Sequence, residues 1–273
     1  MTRFRWITQC RALDVLEVFR TNAQFHRLFE EFGFGDDLDA AGGVGLTTPK
    51  LHSLLQRLLR REPDRIDTEG NLVSDSLVRE AARHVPDLPE EEAYPWETRR
   101  RFEKPEATAL RNSLAVDGWA VADQTLIPVA PVPLAEPRTR LRVELDGPMF
   151  ADASRRLDQL EAALDAGSWE AANGIVRGFL AALFVAICQV MEQGGSPREE
   201  TEARKHLVEL GFFGGSRQTE KSPPEAEFVW KMSAMMGTEG VHAGETTPAT
   251  AVYRYALALL TADHFLTRLK SLR

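Results

Sequence analysis

His242 sits in the stretch "GTEGVHAGETTP", with Gly237, Gly240 and Gly244 around it. An imidazole changes charge near neutral pH and can carry a proton to or from a reacting group. Glycines admit positive φ and allow close backbone approach, which suits an anion-binding loop and equally a tight connection between helices. His242 is therefore either an acid/base group or a loop histidine that satisfies backbone atoms. Arg177 lies in the apolar run "GIVRGFLAALF". A buried guanidinium needs a carboxylate from a neighbouring helix, because an unpaired buried charge is very costly. The alternative is a cation that faces a ligand. Lys231 is the nearest basic residue upstream of His242, eleven positions away. Arg99, Arg100 and Arg101, with Lys104 and Trp96 close by, form a cation run beside an aromatic ring, a composition suited to nucleic acid. They equally fit a solvated helix face balanced by Glu90, Glu91 and Glu92. Arg204, Lys205 and His206 read as a solvated helix face.

Other chemistry is not signalled. There is no P-loop, no GxSxG, no HExxH and no dinucleotide fingerprint. The two cysteines, Cys10 and Cys188, stand in apolar helical patterns far from any CxxC or Cys/His cluster. They are expected to be buried thiols, and neither zinc nor any cofactor is expected. A net charge of −8 over 273 residues argues against broad charge-driven binding to duplex DNA. The most apolar stretch, "GFLAALFVAICQVM" (178–191), falls short of an uninterrupted membrane span and is expected to be a buried helix, so no membrane partner is expected. "MTRFRWITQC" lacks a signal-peptide core, and a cytoplasmic location is expected.

The elements that must position these residues are mainly α. Residues 1–104 read as a helical module: apolar residues recur at helical spacing through 4–32, and Leu51, Leu54, Leu55, Leu58 and Leu59 form one stripe behind "TTP", where Thr48 would cap and Pro49 would open the helix. Residues 105–149 read as a helix plus an extended, proline-rich linker holding a short β-hairpin that turns at Asp123 and Gln124, with the domain boundary in this region. Residues 150–273 read as a bundle of five helices. The first stops at Gly167, and Ser168 caps the second. The fourth ends near Met236, so that His242 lies in a glycine loop, and Thr247 caps the last helix, opened by Pro248.

The second half resembles a known family. "FADASRRLDQLEAALDAGSWEAANGIVRGFLAALFVAI" is similar to the opening of the abortive-infection C-terminal domain, with its helix, glycine break and mid-helix arginine. "GVHAG" before a last helix resembles the same family's glycine–histidine–glycine loop, and "LRNSLAVDGWAVADQTLIPV" resembles the region that precedes the domain. The resemblance runs from about Leu110 to Arg273. It implies a HEPN-like helical bundle, a superfamily rich in metal-independent ribonucleases of toxin and antiviral defence systems, which pair as homodimers. Their motif is an arginine, a gap of four to six residues and a histidine. The histidine takes the 2′-hydroxyl proton and the arginine grips the phosphate. The resemblance thus implies His242 and Arg177 as catalytic candidates, with Arg177 supplied in trans or Lys231 as the phosphate cation; Arg99, Arg100 and Arg101 lie outside it and stand as nucleic-acid contacts on composition alone. Here the pattern departs. Met235, Met236, Gly237, Thr238 and Glu239 precede His242, and none is basic. Ala181 stands where relatives tend to carry a glutamate. The expectation is a degenerate site in a binding or scaffold subunit. The rival readings are an RNA endonuclease using His242, and an antitoxin-like interaction protein with a protein partner from a defence or toxin–antitoxin system.

Overall fold

In a computed structural model the described residues are 3–86, 104–129, 134–194, 199–213, 223–242 and 247–272, with backbone alone for 237–242. They are mainly helical: twelve α-helices and one two-stranded hairpin. The chain divides into two compact units, Met1–Ala135 and Glu136–Arg273.

The first unit holds α1 (Trp6–Phe19), α2 (Asn22–Glu31), α3 (Gly35–Ala40), α4 (Thr48–Arg61), α5 (Val73–Ala82), α6 (Pro105–Val116), β1 (Trp119–Ala122) and β2 (Thr125–Pro128). Helix α1 is central and packs against α4, α5 and α6. The leucine stripe of α4 is buried as its 3–4 spacing requires. It joins Leu13, Leu16, Phe25, Phe29 and Leu114 in one core. The cap of α4 is Thr47 rather than Thr48, and its side chain makes no capping hydrogen bond; Pro49 falls in the first turn, where a missing N–H costs nothing. A buried charge cluster ties the two ends of the unit. The Oδ1 atom of Asp117 accepts from Arg5 Nε at 2.7 Å, and Oδ2 accepts from the Arg5 backbone N–H at 3.0 Å and from Thr8 Oγ1 at 2.7 Å. The hairpin forms where expected, with Ala122 opposite Thr125. Asp123 and Gln124 take φ of 48° and 58°, the left-handed pair that a two-residue turn between right-twisted strands demands. Residues 105–149, read as one linking region, are shared out: α6 and the hairpin pack on the first unit, and the extended stretch gives way to a helix from Ala135.

The second unit holds α7 (Ala135–Glu144), α8 (Ala151–Asp165), α9 (Trp169–Met191), α10 (Glu200–Glu209), α11 (Pro224–His242) and α12 (Pro248–Ser271). Helix α9 is the hub, touching α8, α10, α11 and α12. It is long and apolar enough to cross a membrane by length and composition, and 44% of its most apolar window is buried within the structure. The α8–α9 connection closes by a Schellman motif: Gly167, at φ 69°, donates its N–H to the Leu164 carbonyl, and Ser168 donates to that of Ala163. Phe184, Phe212, Phe213 and Phe265 stack edge and face at 5.4–5.8 Å between centroids. Fully buried Tyr255 donates to Glu161 at 2.8 Å, and Glu161 also accepts from Arg142 at 2.9 Å. Thr247 caps α12 by accepting the Thr250 N–H.

One element departs from the expected layout. Helix α11 does not stop near Met236 but continues through Gly237 and Gly240 to His242. A glycine inside a helix costs about 1 kcal/mol relative to alanine, which weakens a helix without terminating it. No proline intervenes before Pro248. His242 therefore closes a helix instead of standing in a loop.

Candidate functional site

The chemistry-bearing side chains of the second unit meet where α9, α10 and α11 pack. The buried residues of α9 in its first half are Ala172, Asn173, Val176, Phe179 and Leu180. Arg177 lies off that stripe, on the exposed strip with Gly174 and Ala171. Its apolar sequence neighbours thus point inward while it points out. The buried ion pair read as one possibility does not form: among the described residues Arg177 has no salt bridge.

Arg204 corrects the expectation in the opposite sense. It was read as part of a solvated face and is only 7% exposed. Its Nη1 donates to Ser233 Oγ of α11 at 2.9 Å, and its Nη2 meets Glu200 at 2.6 Å. Its Nε is buried without a hydrogen-bond partner among the described residues. Burial lowers the Arg204 pKa from the usual arginine value; Glu200 opposes the shift, and the nearby charge of Arg177 adds to it. An arginine stays protonated regardless, so the significance lies in geometry: two guanidinium groups lie near one another with one carboxylate, Glu200, bonded to the buried one. From α8, Arg156 crosses Gly178, where a side chain would collide with its guanidinium. Arg156 is itself neutralised by Asp152 at 2.9 Å.

Lys231 is exposed on α11. Eleven residues of helix carry it about 16 Å along the axis from His242, on nearly the same face. The structure thus places both on one helix but three turns apart. The side chain of His242 and the residues Arg99, Arg100 and Arg101 lie outside what is described. His206 bridges Glu192 at 2.9 Å and Glu209 at 2.8 Å on the α10 surface. Among the described residues no group of three His, Cys, Asp or Glu side chains could hold a metal.

The first unit has a polar seam that sequence reading did not single out. Along α1, Cys10, Asp14 and Glu17 face His52 and Gln56 of α4. His52 Nε2 lies 3.3 Å from Asp14 Oδ1 and 3.8 Å from Glu17 Oε2. The Asp14 contact, against the cost of burial, raises the His52 pKa above the ordinary histidine value, and the same contact lowers that of Asp14. Gln56 donates to Cys10 Sγ at 3.3 Å, while burial raises the Cys10 pKa. A thiol held protonated this way is a poor nucleophile. The 3–4 spacing of these residues was visible in the sequence; their pairing across two helices was not.

Comparison with known protein families, with characterised proteins and with solved structures finds no match to this chain.

Proposed function

We propose that this chain is a HEPN-like, abortive-infection-type defence protein with a degenerate active site. Its second unit acts as a binding or scaffold subunit in a homodimer or other oligomer, with RNA or a defence-system protein as partner. The resemblance that runs from about Leu110 to Arg273 supports the family reading. The helical course of α11 carries the degenerate reading. The positions that would bear the motif arginine hold Met235, Met236 and Gly237. The nearest cation on that helix, Lys231, is about 16 Å from His242 along the axis, too far for both to grip one scissile phosphate within a protomer. Arg177, exposed on α9, instead offers a cation suited to holding an anion.

The rival reading, a metal-independent RNA endonuclease, draws on one observation: Arg177 is exposed and thus open to a second protomer. Incubation of end-labelled single-stranded RNA with purified protein in EDTA separates the two. The proposal expects no cleavage by the wild type. It also expects RNA or partner binding that Arg177→Glu weakens and His242→Ala does not. Cleavage abolished by His242→Ala overturns it. Sedimentation at micromolar concentration tests the oligomer, and a monomer overturns that part.

A further inference from the structure

In the first unit, a cleft of about 360 Å³ runs beside α4. Its floor is aliphatic, built from Leu46, Pro49 and Leu54, and its rim carries Lys50, Ser53 and Arg57. Lys50 and Arg57 are exposed and make no ion pair among the described residues. Of the unit's other arginines, Arg61 is neutralised by Asp37 and Glu62, Arg65 by Glu62 and Arg20 by Glu80, whereas Arg27, Arg60 and Arg79 make no ion pair among the described residues and do not line the cleft. Helix α4 itself contains no acidic residue. Beside the cleft, the turn between Ala41 and Leu46 presents Val44, 91% exposed. An aliphatic cleft with two unneutralised cations on its rim is thus open to solvent in a chain of net charge −8.

We propose that this cleft docks an acidic amphipathic helix of a protein partner. The cations are seven residues apart on one helix face, about 10.5 Å along the axis. A partner helix laid along α4 presents residues i and i+7 at the same spacing, and residues i+3 and i+4 on the same face between them. Carboxylates at i and i+7 then meet Lys50 and Arg57, while aliphatic side chains at i+3 and i+4 enter the cleft. Its volume accommodates about two such side chains, given that a cavity of ~150 Å³ takes a benzene. Nucleic acid fits less well. The lining holds no aromatic ring on which a base could stack, and an aliphatic floor offers phosphates and sugars nothing. This surface lies in the first unit and is independent of the reading given to the second.

The test is selection from a displayed library of 18-residue helical peptides, randomised at i, i+3, i+4 and i+7, against the full chain. Recovered peptides are expected to carry Asp or Glu at i and i+7 and Leu, Ile or Met between. Their affinity should fall at least ten-fold for the Lys50→Glu/Arg57→Glu variant, whose circular dichroism and melting should match wild type. Failure to recover peptides, or recovered peptides that bind the variant equally well, overturns the proposal. So does a 20-nucleotide oligouridylate that binds wild type and loses binding in the same variant while peptides do not bind.

Discussion

Replacing Asp117 by asparagine keeps the shape of the side chain and removes its charge. Asp117 has a fully buried side chain, and its partner Arg5 is 10% exposed at the side chain. Three donors converge on the carboxylate, and Arg5 Nη2 is further tied to the Ser113 carbonyl at 3.2 Å. The asparagine amide turns one acceptor into a donor facing donors, and the guanidinium loses this buried carboxylate. Breaking a buried pair on one side costs about 3–5 kcal/mol. Whole domains are stable by only about 5–15 kcal/mol, so the first unit would be near its margin. For a unit of this size the melting transition should fall by roughly 10 °C or more. Hydrogen exchange of peptides from α1 and α6 reads this directly, because the cluster fastens the start of one to the end of the other. Removing both charges, as Arg5→Met/Asp117→Leu, should recover most of the loss. A drop below about 1 kcal/mol, the range of an exposed pair, would refute the reasoning that this cluster fastens the unit.

Protonated His52 is favoured in the folded state, so its contribution is fully present below about pH 6.5 and is lost as pH rises through its elevated pKa; Asp14, lowered, keeps its charge to below about pH 4. Stability of the first unit should therefore gain up to about 1 kcal/mol between about pH 8.5 and pH 6 from this pair, and a His52→Gln variant with an unchanged pH profile in urea titrations would remove the pair as the cause. Gln124→Gly should stabilise the hairpin by roughly 0.5–1 kcal/mol, since φ of 58° strains a side chain and not a glycine; a lower melting temperature contradicts this. Tyr255→Phe removes the buried donor to Glu161 and should cost about 1.5–3 kcal/mol in denaturant unfolding; a neutral effect means that the carboxylate's remaining partners, Arg142 among them, satisfy it.

Local rules were legible where a few adjacent residues decide the outcome. The leucine stripe of α4, the glycine stop of α8, the threonine cap of α12 and the turn at Asp123 and Gln124 all follow from short-range sterics and hydrogen bonding. Burial of single charged residues was not legible in the same way. Arg204 sits among polar neighbours and is buried because α11 lies against that face of α10; Arg177 sits among apolar neighbours and is exposed because one position in four of a core helix must point outward. Composition averages over both faces of a helix, and only the partner helix selects between them.

The reading of α11 shows how such an error propagates into function. With a helix ending near Met236, Lys231 belongs to one element and His242 to a loop that is free to fold back toward it. With a helix ending at His242, the separation becomes a fixed rise of about 1.5 Å per residue, and no backbone freedom remains to close it within one protomer. Any cation that serves His242 must then come from another helix or another copy. The exposed Arg177 of α9 is one candidate for that role; the buried Arg204, already held by Ser233 and Glu200, is the less free of the two. A nuclease that draws Arg177 from a second copy works across a dimer, and a mixed dimer of Arg177→Ala and His242→Ala chains should then retain one working site. Cleavage restored on mixing the two inactive variants would establish a nuclease shared between protomers, whereas silence from the mixture and from the wild type alike fits a subunit that binds without cutting.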